Sequence, residues 1–196
     1  GNYRRYHQVV ARYLADEPTA EHGRVALHFE NAGEYAEAAK HHFENGLNYR
    51  DQSDYENLRM SLFQSAKSLR KARVPLDDDR WGNLVVFWSL AWRMTGSHPA
   101  SQRRLHRLCE KVAGGDNYKL ICFSFMEKSR LAVDTGHLTE IIDPLEVAIE
   151  AASHLENKMY ERQMRLELID RLLDYEKIED AQTHLSQIDD EYIRGD

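Results

Sequence analysis

The sequence predicts an all-α fold, a right-handed superhelical solenoid of about ten antiparallel helices. Three observations carry that reading. Apolar residues recur at helical spacing through most of the chain, as in Leu58, Leu62, Ala66 and Leu69. Only 4 prolines and 10 glycines punctuate 196 residues, too few for an all-β design with a turn every ten residues. Turn signals recur at related positions, Gly33, Ser53, Gly96, Gly136 and Glu176, the last three 40 residues apart.

Each segment has its own warrant. The first helix, from near Asn2 to Ala15, carries Tyr6, Val9, Val10, Tyr13 and Leu14 as its apolar stripe. Pro18 ends the following connection, and Thr19 is placed to cap a second helix over Ala20–Asn31, with Val25, Ala26 and Phe29 inward. In Gly33-Glu34-Tyr35-Ala36-Glu37-Ala38-Ala39 the periodicity breaks at Gly33 and resumes at Tyr35. Glycine permits the tight connection, and Ala38 lets the next backbone approach. The third helix continues through His42, Phe43, Gly46 and Tyr49 to Arg50, and the fourth starts after Ser53 or Asp54.

Residues 72–80 read as a linker, because Pro75 cannot continue a helix and Asp77, Asp78 and Asp79 suit the positive start of the next one. The fifth helix, Trp81 to Thr95, is apolar almost all round and is expected to lie between neighbours. The sixth runs from Pro99 to Val112 and stops at Gly114-Gly115. The seventh is capped by Asp116 or Asn117, and the eighth follows Gly136 with Pro144 inside it, which predicts a kink or a late start. The ninth and tenth span Lys158–Leu173 and Ile178–Tyr192.

Aligned on the turns, the residues seven before are Ala26, Gly46, Ser89, Ser129 and Ile169, four of them small. Five after the turns come Ala38, Leu58, Ser101, Ile141 and Ala181; nine after, His42, Leu62, Leu105, Leu145 and Leu185; two after, Tyr35, Tyr55, His98, Leu138 and Ile178. Small residues at such positions mark helix crossings, where a large side chain would hold the pair apart.

The run Ala26, Phe29, Gly33, Tyr35, Ala38, followed by Gly46, Tyr49, Ser53, Tyr55, Leu58, resembles the tetratricopeptide repeat. On that resemblance residues 1–71 are N-terminal tetratricopeptide-like helices, 72–80 a linker, and 81–196 degenerate helical-hairpin repeats of about 40 residues in the same solenoid. His7-Gln8-Val9-Val10-Ala11 and Ala26-Leu27-His28-Phe29-Glu30-Asn31-Ala32-Gly33-Glu34-Tyr35 are similar to the helical region of large signalling ATPases, including transcription activators of the maltose-regulator type. The resemblance implies a sensor or scaffold piece of a multidomain protein. The start at Gly1 rather than Met fits an excised segment, as does the lack of a GxxxxGK[ST] phosphate loop.

Charged residues make up 30% and apolar residues 42%, the balance of a soluble globular chain, and the net charge of −7 argues against direct binding of nucleic acid or an anionic membrane. Cys109 and Cys122 lack CxxC spacing and lie in apolar helical patterns, which points to buried free thiols in a reducing, cytoplasmic setting. His41 and His42 are adjacent and point about 100° apart on a helix, so they do not chelate together. No HExxH, GxSxG or other catalytic spacing is present. The expectation is therefore no enzyme, no cofactor and no metal. Trp81, Trp88 and Trp92 share one stripe, as core residues or as a ligand cage.

Two surfaces remain as candidates. Arg103, Arg107 and Lys111, with Arg104 beside them, form a basic stripe in an acidic chain, either a solvated face or a dock for an acidic partner. In tetratricopeptide arrays the first helix of each pair lines a concave groove. Transferred by register, that implies partner contacts at Lys40, Phe43, Leu47 and Arg50, then Asn83, Val86, Leu90 and Arg93, then Phe123, Met126 and Arg130. A groove of this kind suits a carboxylate-bearing protein or peptide, or another domain of the same chain. The reading from sequence is thus a protein-interaction or effector-sensing scaffold; the alternative is a small-molecule sensor with its ligand near Trp88 and Trp92.

Overall fold

The computed structural model describes residues 2–17, 20–96, 99–133 and 138–194, with the side chains of 100 and 189–194 left out. The expected turn and cap residues Pro18, Thr19, His98 and Gly136 lie outside the described residues. Ten α-helices and no strand occur among the described residues. They are α1 (Asn2–Ala15), α2 (His22–Ala32), α3 (Tyr35–Asp51), α4 (Tyr55–Lys71), α5 (Asp79–Met94), α6 (Pro99–Val112), α7 (Tyr118–Ala132), α8 (Leu138–Ser153), α9 (Lys158–Asp174) and α10 (Ile178–Arg194).

Contacts divide the chain into Gly1–His98 and Pro99–Asp196. In the first unit each of α1 to α4 packs on the next helix in sequence, and in the second unit each of α6 to α9 does the same. Because α5 packs on α4, the 72–80 connection lies inside the first unit.

Four of the turns share one mechanism. Gly33 has φ 84°, its N–H donates to Glu30 O at 3.0 Å, and the Glu34 N–H donates to Phe29 O at 2.9 Å. This paired arrangement satisfies carbonyls at the end of α2 and needs a left-handed residue after the helix. The same pair of bonds recurs around Ser53 (φ 59°), Arg73 (φ 55°) and Glu176 (φ 59°). Gly96 also has positive φ, 83°. At the starts, side chains of Asp54, Asp78, Asn117 and Asn157 accept backbone N–H groups of α4, α5, α7 and α9. Hydrogen bonds from Arg80 also hold the Asp78 carboxyl at a pKa of about 2, well below its usual value.

Burial follows the repeat register. Ala26, Gly46, Ser89, Ser129 and Ile169 are all buried, as are Ala38, Leu58, Ser101, Ile141 and Ala181. Gly46 shows why small residues are needed: a Cβ there would stand 3.2 Å from Leu58 Cδ1 and 3.4 Å from Ser61 Cβ. Ser129 and Ser65 donate their hydroxyls to Ile141 O and Ala39 O on neighbouring helices, so these buried polar groups are satisfied. On α10 the register buries Ala181 but leaves Ile178 and Leu185 exposed.

One expectation is corrected. The stripe assigned to α1 is wrong at Tyr6, Val9 and Tyr13, which are exposed, whereas Ala11 is fully buried against Val25, Phe29 and Ala38. The small face of α1 makes the close approach and the tyrosines turn outward. Of the kink or late start expected at Pro144, the late start does not occur: α8 runs from Leu138 to Ser153, with Pro144 inside it and buried. From Trp81 to Arg93 no residue of α5 is exposed, as its all-round apolar character requires.

Candidate functional site

In the second unit a cleft of about 620 Å³ opens between α6, α7 and α8. Its floor comes from α7, which packs on both flanking helices. Phe125, Leu131 and Ala132 face it there, and Leu105 and Pro144 complete an apolar base; all five are buried residues. These positions follow the helical spacing that gives each helix an inward face.

The rim is charged, and the two walls differ. The α6 wall carries Gln102, Arg103 and His106. Lys128 rises from α7 with its ammonium 5.6 Å from the Phe125 ring centre. The α8 wall carries Thr139, Glu140 and Asp143, with Val147 half-buried below them. His106 stands 3.3 Å from Glu110 on its own helix. Among the described residues no ion pair links Arg103 or Lys128 to Asp143 across the cleft. An apolar base flanked by a basic and an acidic wall can hold a small amphiphile in a fixed orientation.

Of the residues transferred by register, the structure brings some together and withdraws others. In the first unit the Phe43 ring meets Phe87 edge-on at 5.4 Å, and the Arg50 guanidinium lies 5.5 Å from the same ring centre. Arg50 also pairs with Asp51 at 2.6 Å. Phe87, absent from the predicted set, is what joins α3 to α5 there. Lys40 is exposed; Leu47, Asn83, Leu90 and Arg93 are half-buried. Val86 and Met126 are corrected: at 5% and 8% exposure they are core residues with no surface to offer a partner. In the second unit Phe123 packs edge-on against Tyr160, and Arg130 is engaged by Glu167 on α9. Arg103, Arg104, Arg107 and Lys111 are all exposed, and Arg103 is the one that reaches the cleft.

The tryptophan stripe packs inward. Trp81 and Trp88 lie against the core around Leu58, Leu62 and Leu84, while Trp92 is covered by the Arg59 guanidinium at 3.6 Å. Cys109 and Cys122 are free and buried; burial pushes both thiols up to about 11, so neither is a thiolate at neutral pH. Histidines pair across helices in the first unit: His7 with His28 at 3.0 Å and His22 with His41 at 3.1 Å, Nδ1 to Nδ1. No group of three or more metal-ligating side chains converges among the described residues.

Sequence reasoning reached Arg103 through the basic stripe but missed Lys128, Glu140 and Asp143. The signal available for the acidic wall was the spacing of Glu140, Asp143 and Val147, which puts them on one face of α8. No protein-family model matches the chain, and a search of curated proteins finds no match.

Proposed function

We propose that this chain is a non-catalytic effector-sensing or protein-interaction module of a larger signalling protein, and that effector sensing is its better-supported role. The observation that carries this is the cleft between α6, α7 and α8: an apolar base, oppositely charged walls, and a volume of about 620 Å³. Sites for small ligands commonly occupy about 300–1,000 Å³, with a few polar groups over an apolar lining. The test uses anilinonaphthalene sulfonate, an apolar anion, as fluorescent probe. Its emission should rise on binding, and Val147→Glu, which puts an anion over the cleft base, should remove the rise. A probe that binds equally to both proteins, or to neither, rejects the cleft as the sensing site.

The wider reading is a right-handed solenoid of tetratricopeptide type, cut from a signalling ATPase or transcription regulator and working in the cytoplasm. Its support is the set of residues quoted above for the resemblance, the recurrent left-handed turns and the free, buried thiols. The protein-docking alternative is favoured by α1, whose Tyr3, Tyr6, Val9 and Tyr13 are each more than 60% exposed. Arg4, Arg5 and Arg12 accompany them, with no acidic residue in the helix. Exposed tyrosine with arginine is the composition of interface centres, and the charge selects an acidic partner helix. Arg5→Glu with Arg12→Glu should abolish capture of such a helix from the parent protein. Unchanged capture removes α1 from consideration.

A further inference from the structure

We propose that the cleft between α6, α7 and α8 takes a small zwitterion with an apolar body, an apolar amino acid or a di- or tripeptide of such residues. The proposal rests on the effector-sensing reading of the same cleft and names the chemistry of its ligand. The ligand carboxylate lies toward Arg103 and Lys128, its ammonium toward Asp143, and its apolar side chains on Phe125, Leu131 and Val147.

The charges decide the class. A purely apolar ligand would cover the base and strip water from Arg103, Lys128 and Asp143 without replacing its hydrogen bonds. A simple anion would satisfy the basic wall and meet repulsion from the acidic one, and a simple cation the reverse. A zwitterion satisfies both. The walls are kept in readiness because they do not neutralise each other: no ion pair joins Arg103 or Lys128 to Asp143. The neighbouring charges have other tasks. His106 has Glu110 beside it, and Glu140 sits in the first turn of α8, where a carboxylate answers the positive end of the helix. Asp143, in the following turn, is left as the acid for the ligand.

The dimensions decide the size. The cleft runs from Phe125 to Ala132 on α7 and from Thr139 to Val147 on α8. Such spans measure about 11–12 Å at 1.5 Å per residue. An extended tripeptide is about 10 Å long. Two turns of a helix about 10 Å wide occupy roughly 850 Å³, more than the cleft holds.

The experiment measures binding by calorimetry with three probes of one sequence: leucyl-phenylalanine, its N-acetyl derivative and its C-terminal amide. The free dipeptide should bind, and each derivative, lacking one charge, should bind about tenfold or more weakly. Arg103→Gln should weaken the free dipeptide and leave the amide unaffected; Asp143→Asn should weaken the free dipeptide and leave the acetyl form unaffected. Both side chains are exposed, so folding should survive, as circular dichroism will check. The proposal is overturned if the acetyl form or the amide binds as tightly as the free dipeptide. It is overturned too if no peptide form binds or competes while the naphthalene sulfonate still occupies the cleft; the sensing reading then stands with another ligand class. If that probe also fails to bind, both readings fall together.

Discussion

Arg130 on α7 holds Glu167 on α9 through two parallel hydrogen bonds, Nε to Oε1 at 2.9 Å and Nη2 to Oε2 at 2.7 Å. The side chains are 27% and 14% exposed, so the pair is largely withdrawn from water. Arg130→Ala would leave the Glu167 carboxylate half-desolvated without its partner and should cost about 1–3 kcal/mol. Replacing both residues by apolar ones should cost less than the two single changes together. Urea denaturation of the four proteins measures the coupling. Strict additivity would show that the pair contributes nothing beyond its parts.

The left-handed turns predict opposite outcomes at related positions. Gly33 has φ 84° and no atom within 4 Å of an added Cβ, so the cost of a side chain there is backbone strain alone. Gly33→Val should destabilise the first unit by about 1–3 kcal/mol. Ser53, Arg73 and Glu176 already bear that strain at φ 55–59°. Replacing each by glycine should therefore stabilise by about 0.5–1 kcal/mol, net of the extra freedom glycine gives the unfolded chain. Thermal denaturation of the single variants reads the sign; a loss of stability at all three would contradict the turn mechanism.

The same turns show how much of the fold could be read in advance. Gly33 and Ser53 break the apolar period and are followed by Tyr35 and Tyr55, so the turn is visible as a local event. Arg73 makes the same turn 20 residues after Ser53, but arginine is no turn signal and Pro75 drew the reading to a linker instead. On α1 the large tyrosines outweighed Ala11 in the pattern, although the smallest residue makes the closest contact. The cleft was hidden for a different reason. Arg103, Lys128 and Asp143 stand on three helices, and each looks like part of a solvated face; only the packing of α6 and α8 on α7 puts them round one cavity.

Gly46 tests the crossing of α3 and α4. It is buried, with Leu58, Ser61 and Leu62 all within 3.6 Å of an added Cβ. Gly46→Ala asks Leu58 to shift by a few tenths of an ångström, while it also gains helix propensity, so the two effects oppose. Gly46→Leu has no such outlet and should force the helices apart, costing about 1–3 kcal/mol or more. A melting temperature unchanged by leucine would mean that the crossing is not close-packed.

The histidines of the first unit predict a loss of stability on mild acidification. His41 and His42 are 7% and 6% exposed. Burial is the largest influence lowering the pKa of each; His22, Lys40 and His42 add to it at His41, against Glu37, and Lys67 adds to it at His42, against Glu30. His28 is lowered likewise, by burial and then by His7 and Arg24. The His42 Nε2 has no hydrogen-bond partner, and its nearest carboxylate oxygen, on Glu30, is 3.8 Å away. In the unfolded chain these imidazoles take up protons near pH 6.5, whereas the folded chain resists until lower pH. The unfolded state therefore binds more protons below that point, and stability falls as pH falls, by at most about 1.4 kcal/mol per pH unit for each proton refused. Urea midpoints at pH 7.5 and 5.5 should show the folded state weaker at 5.5, a window above ordinary carboxylate titration. Removing one imidazole with His41→Gln should shrink the difference, because glutamine keeps hydrogen-bonding capacity but does not titrate. Equal or greater stability at pH 5.5 would mean that the histidines gain, rather than lose, favourable partners when charged.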